Sequence, residues 1–318
     1  MKKGYWYILA TTILFSSMEI SLKMIADQYN PVQITFLRFV IGAIILLPLA
    51  LRHLRAKKIR LDKKDWKVFA WTGFICIVVS MMFYQVSLGY SKASIVAVVF
   101  SCNPVFVVPL AHWILKEEID KLTILSLVIS VVGLVFILNP FNLGGNSILG
   151  ILCAILSAVT FALYAVVGKS EGHKIGPIVL TCFSFIMGVI ECFVLIIVSH
   201  IGGIAAALTN VGLEMFANVP VFAGITLANL PYLLYVGIGV TGLGYAFYFL
   251  AMEETSAATT SVVFFIKPAL APVLAMLILG ESIALSTFGG IAFIVVGSGI
   301  TLLAHRKKAK HVIDEAGG

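Results

Sequence analysis

Charge is scarce in this chain of 318 residues: only 12% are Asp, Glu, Lys or Arg, against 60% hydrophobic. A soluble domain carries about 25% charge, so a single soluble domain and a disordered chain are both excluded. Cysteine is also sparse. Cys76, Cys102, Cys153, Cys182 and Cys192 are scattered through apolar runs, with no CxxC and no Cys/His spacing. They read as small hydrophobes, not as a disulfide framework or a metal site. Nucleotide-binding, metalloprotease and nucleophile-elbow motifs are missing as well. Their absence argues against an ATP-driven pump and against an enzyme, and no cofactor is expected. The net charge of +7 has no clustered basic surface behind it, so no nucleic-acid partner is expected.

What the chain does have is long apolar runs, at a mean hydropathy of +1.07. A helix needs roughly 20 apolar residues to cross a bilayer. Ten windows qualify, near 5–26, 31–51, 67–89, 93–115, 121–139, 147–168, 176–199, 231–252, 256–279 and 283–304. They are apolar all round and twice the length of a barrel strand, which excludes a membrane β-barrel. Met1-Lys2-Lys3 leads straight into the first run without a small-residue cleavage site, so that run reads as a retained helix. With the N-terminus in the cytoplasm, 18 loop and terminal Lys and Arg residues fall inside and only Lys92 outside. The positive-inside rule then places both termini in the cytoplasm of a multi-pass plasma-membrane protein.

The sequence also repeats. At an offset of 164, Gly73 meets Gly237, Val99-Phe100 meets Val263-Phe264, Pro104 meets Pro268, Glu117 meets Glu281 and Gly133 meets Gly297. At an offset of 146, Lys23 meets Lys169, Pro31 meets Pro177 and Gly42 meets Gly188. Spans 1–5 thus recur as spans 6–10. Five is odd, so the second copy enters the membrane inverted, the architecture of secondary transporters. The expected fold is an all-α polytopic membrane protein of ten transmembrane helices in two inverted five-helix repeats. Residues 1–142 form the first repeat, 143–304 the second, and 305–318 a basic cytoplasmic tail. An external insertion near 200–230 has no Lys or Arg. It is expected to lie as a helix on the membrane surface, or else as a partial cap.

Two segments carry a family likeness: NPVFVVPLAHWILKEE from Asn103 to Glu118, and KPALAPVLAMLILGES from Lys267 to Ser282. With Phe36-Leu37-Arg38 in span 2, and with the order of the spans, the chain resembles EamA-type transporters of the drug/metabolite transporter superfamily. The resemblance implies a central cavity flanked by spans 3, 4, 8 and 9, and most often export.

Lys267 lies in the middle of span 9, where a charge costs about 2.5–3.5 kcal/mol on insertion scales. It must face a wet cavity or a partner. Pro268 follows it and frees the carbonyl of Phe264, and Pro272 frees that of Pro268. Loose carbonyls beside a cation suit a midplane binding site. Asn103 is the repeat partner of Lys267. In span 1, Glu19 is open to two readings. It forms a self-neutralising structural cluster with Lys23 and Arg38, Lys23 being directed toward the outer interface, or it binds a proton or a substrate ammonium. Tyr84 and Gln85 in span 3, Tyr164 in span 6, and Tyr245 and Tyr248 in span 8 are candidate cavity residues with apolar bodies and hydrogen-bonding tips. Glu117 and Glu281 read as caps of the helices that follow them. Ser126, Ser130, Gly133, Gly290 and Gly297 read as small packing residues. Glu191 has no evident partner.

The function these features favour is export of a small polar or amphipathic metabolite, an amino acid or related carboxylate-bearing solute, with a proton as the candidate coupling partner. Export of cationic drugs or amines is the alternative, opposed by the charge of Lys267. A lipid-acting intramembrane enzyme would need a nucleophile, a metal or an acid pair, and none is convincingly spaced.

Overall fold

The computed structural model describes residues 2–116, 119–138, 147–172, 174–255, 260 and 262–316. Among the described residues the chain is helical, with no strand. The helices are α1 (Lys2–Ser16), α2 (Met18–Met24), α3 (Pro31–Lys57), α4 (Lys63–Gly73), α5 (Met82–Tyr90), α6 (Ala93–Ser101) and α7 (Asn103–Leu115). They continue with α8 (Lys121–Leu138), α9 (Ile148–Gly172), α10 (Pro177–Ser199), α11 (Gly202–Asn210), α12 (Leu230–Leu234), α13 (Gly244–Glu254), α14 (Val262–Leu279) and α15 (Leu285–Ala316). Two π-helical stretches, π1 (Phe74–Met81) and π2 (Tyr235–Leu243), join α4 to α5 and α12 to α13. Among the described residues, six continuous helical stretches are long and apolar enough to cross a membrane: Pro31–Lys57, Lys63–Tyr90, Ala93–Leu115, Ile148–Ser170, Pro177–Ser199 and Leu230–Glu254. Helix also occupies the described parts of the other four apolar windows, and α15 runs on through the basic tail to Ala316.

Local chemistry explains the interruptions. The first window breaks at Ser17, between α1 and α2. The fourth breaks at Cys102, just before Asn103-Pro104. Pro104 has no N–H to donate to Phe100, and the Cys102 N–H is shared between the carbonyls of Val98 and Val99. Its repeat counterpart behaves differently, for α14 runs uninterrupted through Pro268 and Pro272. The wide π turns were not foreseen. They fall at nearly equivalent places in spans 3 and 8, and such bulges are frequent at functional sites.

Small residues set the closest helix contacts. A Cβ on Gly290 would lie 2.5 Å from the Gly133 carbonyl oxygen, and the Ser126 hydroxyl donates to the Gly297 carbonyl at 2.7 Å. These contacts bind α8 to α15. An offset of 164 carries one into the other, since Ser126 maps to Gly290 and Gly133 to Gly297. Elsewhere Gly188 of α10 meets Gly73 at the end of α4, and Gly42 of α3 meets Thr241 of π2. Span 7 therefore packs on span 3 much as span 2 packs on span 8.

The 200–230 segment contains a short helix, α11, followed by a strap sewn to the turn before α3. Asn30 donates to the Met215 carbonyl, Gln33 to the carbonyls of Val221 and Ala223, and the Tyr29 hydroxyl to Asn229 at 2.7 Å. Leu227 and Phe222 stay exposed on it. The segment thus combines a short helix with a docked loop.

Candidate functional site

The break at Ser17 starts a new helix, α2, and the second residue of that helix is Glu19. Its carboxylate is fully buried and lies 2.7 Å from the ammonium of Lys267, itself only 4% exposed. The ammonium also stands 5.4 Å above the ring of Phe100 in α6. Of the two expectations for this lysine, a wet cavity or a partner, the structure supplies the partner: Glu19 in span 1, with an aromatic lid from span 4. Low dielectric makes such a pair strong once formed, and makes either charge costly if left alone.

The cluster expected of Glu19, Lys23 and Arg38 is accordingly rearranged. Lys23 donates to the carbonyls of Leu88 and Ser91, where α5 ends. No ion pair joins Glu19 to Arg38. The Arg38 guanidinium is 1% exposed and is held by the thioethers of Met18 at 3.7 Å and Met81 at 3.1 Å, above the ring of Phe39. Its Nε has no hydrogen-bond partner. Glu19, Tyr84 and Tyr245 lie within its electrostatic reach. The physical reason is competition. Lys267 reaches the carboxylate directly and leaves the guanidinium with only weak sulfur acceptors.

The interior thus gathers one carboxylate and two cations, with polar atoms left over. Among them, Oε1 of Gln85 is buried without a hydrogen-bond partner. Tyr84 faces Glu19 and packs edge-on against Phe100 at 5.0 Å. Tyr245 packs on Phe15 at 5.1 Å and Phe185 at 5.2 Å, and Tyr248 lies against Phe249 and Phe264, both at 5.6 Å. Tyr164 is turned toward Thr181 at 3.3 Å, a span 6 to span 7 contact. Asn103 donates to the Ala158 carbonyl at 2.9 Å, tying the start of α7 to α9. Glu19, Lys267, Tyr84 and Tyr245 thus belong to one buried group, and Gln85 is buried next to Tyr84 in the chain. Tyr248 sits in the adjoining aromatic cluster, and Asn103 and Tyr164 are engaged with α9 and α10.

Glu281 does not cap the helix after it. Its carboxylate accepts the N–H groups of Ala93 and Ser94, at 2.7 and 3.0 Å, and the Ser94 hydroxyl. It therefore caps α6, and Lys92 donates to Ser282 beside it. Span 9 is latched to the start of span 4. Glu117 lies outside the described residues. One oxygen of Glu191 is buried without a hydrogen-bond partner.

Sequence reasoning missed Phe100, Phe15, Met18 and Met81. Phe100 was within reach, because the repeat aligns it with Phe264; Phe100 lies against the Lys267 ammonium and Phe264 packs on Tyr248. The methionines carry no comparable sequence signal, since a thioether beside an arginine is set by packing.

A model of the EamA-like transporter family matches residues 2–139 and again residues 148–303. An "Uncharacterized transporter" of Clostridium kluyveri is 42% identical over 314 residues, covering 96% of this chain and 95% of its own. Another from Archaeoglobus fulgidus is 26% identical over 300 residues, covering 93% and 97%. A solved structure titled "Crystal structure of protein" aligns at a TM-score of 0.62 and 16% identity, covering 96% of this chain and 99% of its own. That last likeness concerns the fold alone.

Proposed function

Because this chain belongs to the EamA-like transporter family and is a membrane transporter, we propose that it exports a small polar or amphipathic metabolite by alternating access. The solute class we assign is an amino acid or a related carboxylate-bearing compound. The observation that carries this reading is the buried Glu19–Lys267 pair. It joins the first span of one half to the fourth span of the other, at the depth where inverted-repeat transporters hold their substrates.

The ten-span inverted architecture belongs to the proposal. Two adjacent family matches, the near-equivalent positions of π1 and π2, and the exchanged Gly133–Gly290 and Ser126–Gly297 contacts support it. An inverted two-fold requires that a contact between one residue and its partner's neighbour recur with the halves exchanged. The excess of Lys and Arg in alternate loops supports cytoplasmic termini in the plasma membrane.

Alternating access needs one end of the pathway shut while the other is looser. Every residue of α6 is buried, and the helix packs along α14 with Glu281 on its first turn. Beyond Cys102 the residues Asn103 to Leu110 are only half-buried, and α7 packs chiefly on α9. With cytoplasmic termini, the latched end faces outward and the looser end inward. Ion gradients supply the energy, with a proton as the candidate coupling ion.

Counterflow in proteoliposomes tests the function. Vesicles preloaded with unlabelled amino acids should accumulate a labelled one through the wild-type protein and not through Lys267→Ala at equal reconstitution. Flux of a quaternary ammonium dye, with none for any carboxylate solute, would replace this reading by export of cationic drugs.

A further inference from the structure

The buried group holds a charge that the ion pair does not settle. Glu19 is matched by Lys267, and Arg38 remains as a second cation, 1% exposed, with an unpartnered Nε and only thioether sulfurs against its terminal nitrogens. A guanidinium does not lose its proton in a protein. An interior cation is ordinarily paired or hydrogen-bonded, and thioethers are weak acceptors.

The surroundings of Arg38 are adaptable. Met18 lies next to the Ser17 break and Met81 ends the π1 stretch. Methionine is unbranched and fills irregular space, so both side chains can be displaced at small cost. A planar guanidinium matches a carboxylate with two parallel hydrogen bonds. Beside it, the Glu19 carboxylate turns Oε1 to Lys267 and faces the Tyr84 hydroxyl, which leaves it room to accept a further donor. An anionic receptor and a cationic receptor therefore lie in one buried group.

We propose that Arg38 is the carboxylate anchor of this transport site and that Oε2 of Glu19 receives an ammonium, so that the solute is a zwitterion. Lys267 then holds Glu19 in place and ionised instead of binding the carboxylate itself. Met18 and Met81 occupy the anchor until the solute displaces them. This assignment rests on the transport reading above and moves the anion-binding role from Lys267 to Arg38.

The test begins without any ligand. Arg38→Met removes the charge and leaves a flexible apolar side chain among other methionines. If Arg38 is kept for a solute, the variant melts at a higher temperature than wild type, because an uncompensated interior charge is gone. A lower melting temperature makes Arg38 structural and overturns the proposal. The second arm screens the proteinogenic L-amino acids for thermal stabilisation of wild type, each beside its methyl ester and its decarboxylated amine. An acid that stabilises wild type while its ester and amine do not, with the effect lost in Arg38→Met, is the expected result. Counterflow of that acid should fall about tenfold or more in the variant, as for loss of a charged hydrogen bond. Equal stabilisation by acid and ester overturns the anchor, and stabilisation by no amino acid overturns the zwitterion. Failure of transport itself is read separately, in wild-type counterflow.

Discussion

Lys267 and Glu19 meet at 2.7 Å inside the bundle, although they stand near opposite ends of the chain. The contact makes span 9 and span 1 mutually dependent, because among the described residues neither charge makes another ion pair.

Breaking this pair should therefore cost stability as well as transport. Lys267→Ala strands a buried carboxylate and is expected to lower stability by about 3–5 kcal/mol. The double variant Glu19→Gln/Lys267→Met should recover most of that loss and remain inactive in counterflow. Thermal unfolding of purified single and double variants checks it. Equal melting of Lys267→Ala and wild type would show the pair to be energetically idle.

Glu281 should govern the latched end. Glu281→Ala removes the cap on α6, a loss of about 0.5–2 kcal/mol, and frees α14 from the start of span 4. A cysteine introduced at Ala97, fully buried on α6, should be protected from a membrane-impermeant maleimide when Glu281 is intact. Labelling should become fast in Glu281→Ala. Protection unchanged by the substitution would mean that other contacts close this end.

At the α8–α15 contact, Gly290→Ala would drive a methyl group to 2.5 Å from the Gly133 carbonyl oxygen. Backbone cannot swing aside as a side chain can, so the helices must separate. The expected loss is about 1–3 kcal/mol, measured as a lower melting temperature in detergent. Gly289→Ala, which meets only Phe136 at 3.9 Å, is the control and should be nearly silent.

The loop end of span 3 predicts a pH dependence. Asp62 caps α4 through the N–H groups of Lys64 and Asp65, and binds Lys174 at 3.0 Å. Backbone hydrogen bonding near Asp65, then Lys174, holds its carboxyl below the ordinary 3.8. A depressed carboxyl pKa contributes stability above the unfolded value, and the contribution is lost as pH falls through the folded value. Lys174 is raised above 10.5, chiefly by Asp62, so its share is full below that value and is lost as pH rises through the folded one. Asp62→Asn should flatten the fall in melting temperature below about pH 4. An unchanged acid profile would assign the acid sensitivity to other carboxylates.

Hydropathy is a local, additive property, and for that reason the helical membrane architecture could be read directly from residues 1–318. The small-residue contact of spans 5 and 10 was legible too, because Gly133, Gly290 and Gly297 admit close backbones whatever surrounds them. The offset of 164 likewise aligned Phe100 with Phe264 before either ring had a place. Pairing was not legible in the same way. The sequence places Glu19 four residues from Lys23 and groups both with Arg38 of the next span, yet position along the chain does not say which side of a helix faces which neighbour. The wide turns of π1 and π2 shift those faces, and no hydropathy window registers such a shift. Glu281 was taken for a cap on the next helix in sequence, while folding brought the start of α6 to its carboxylate. The sequence by itself thus determined which segments are helical, which are apolar and where the halves repeat. Tertiary structure alone decided that Lys267 takes Glu19 and leaves Arg38 among sulfurs, because an ion pair depends on the distance between atoms brought together from the whole chain.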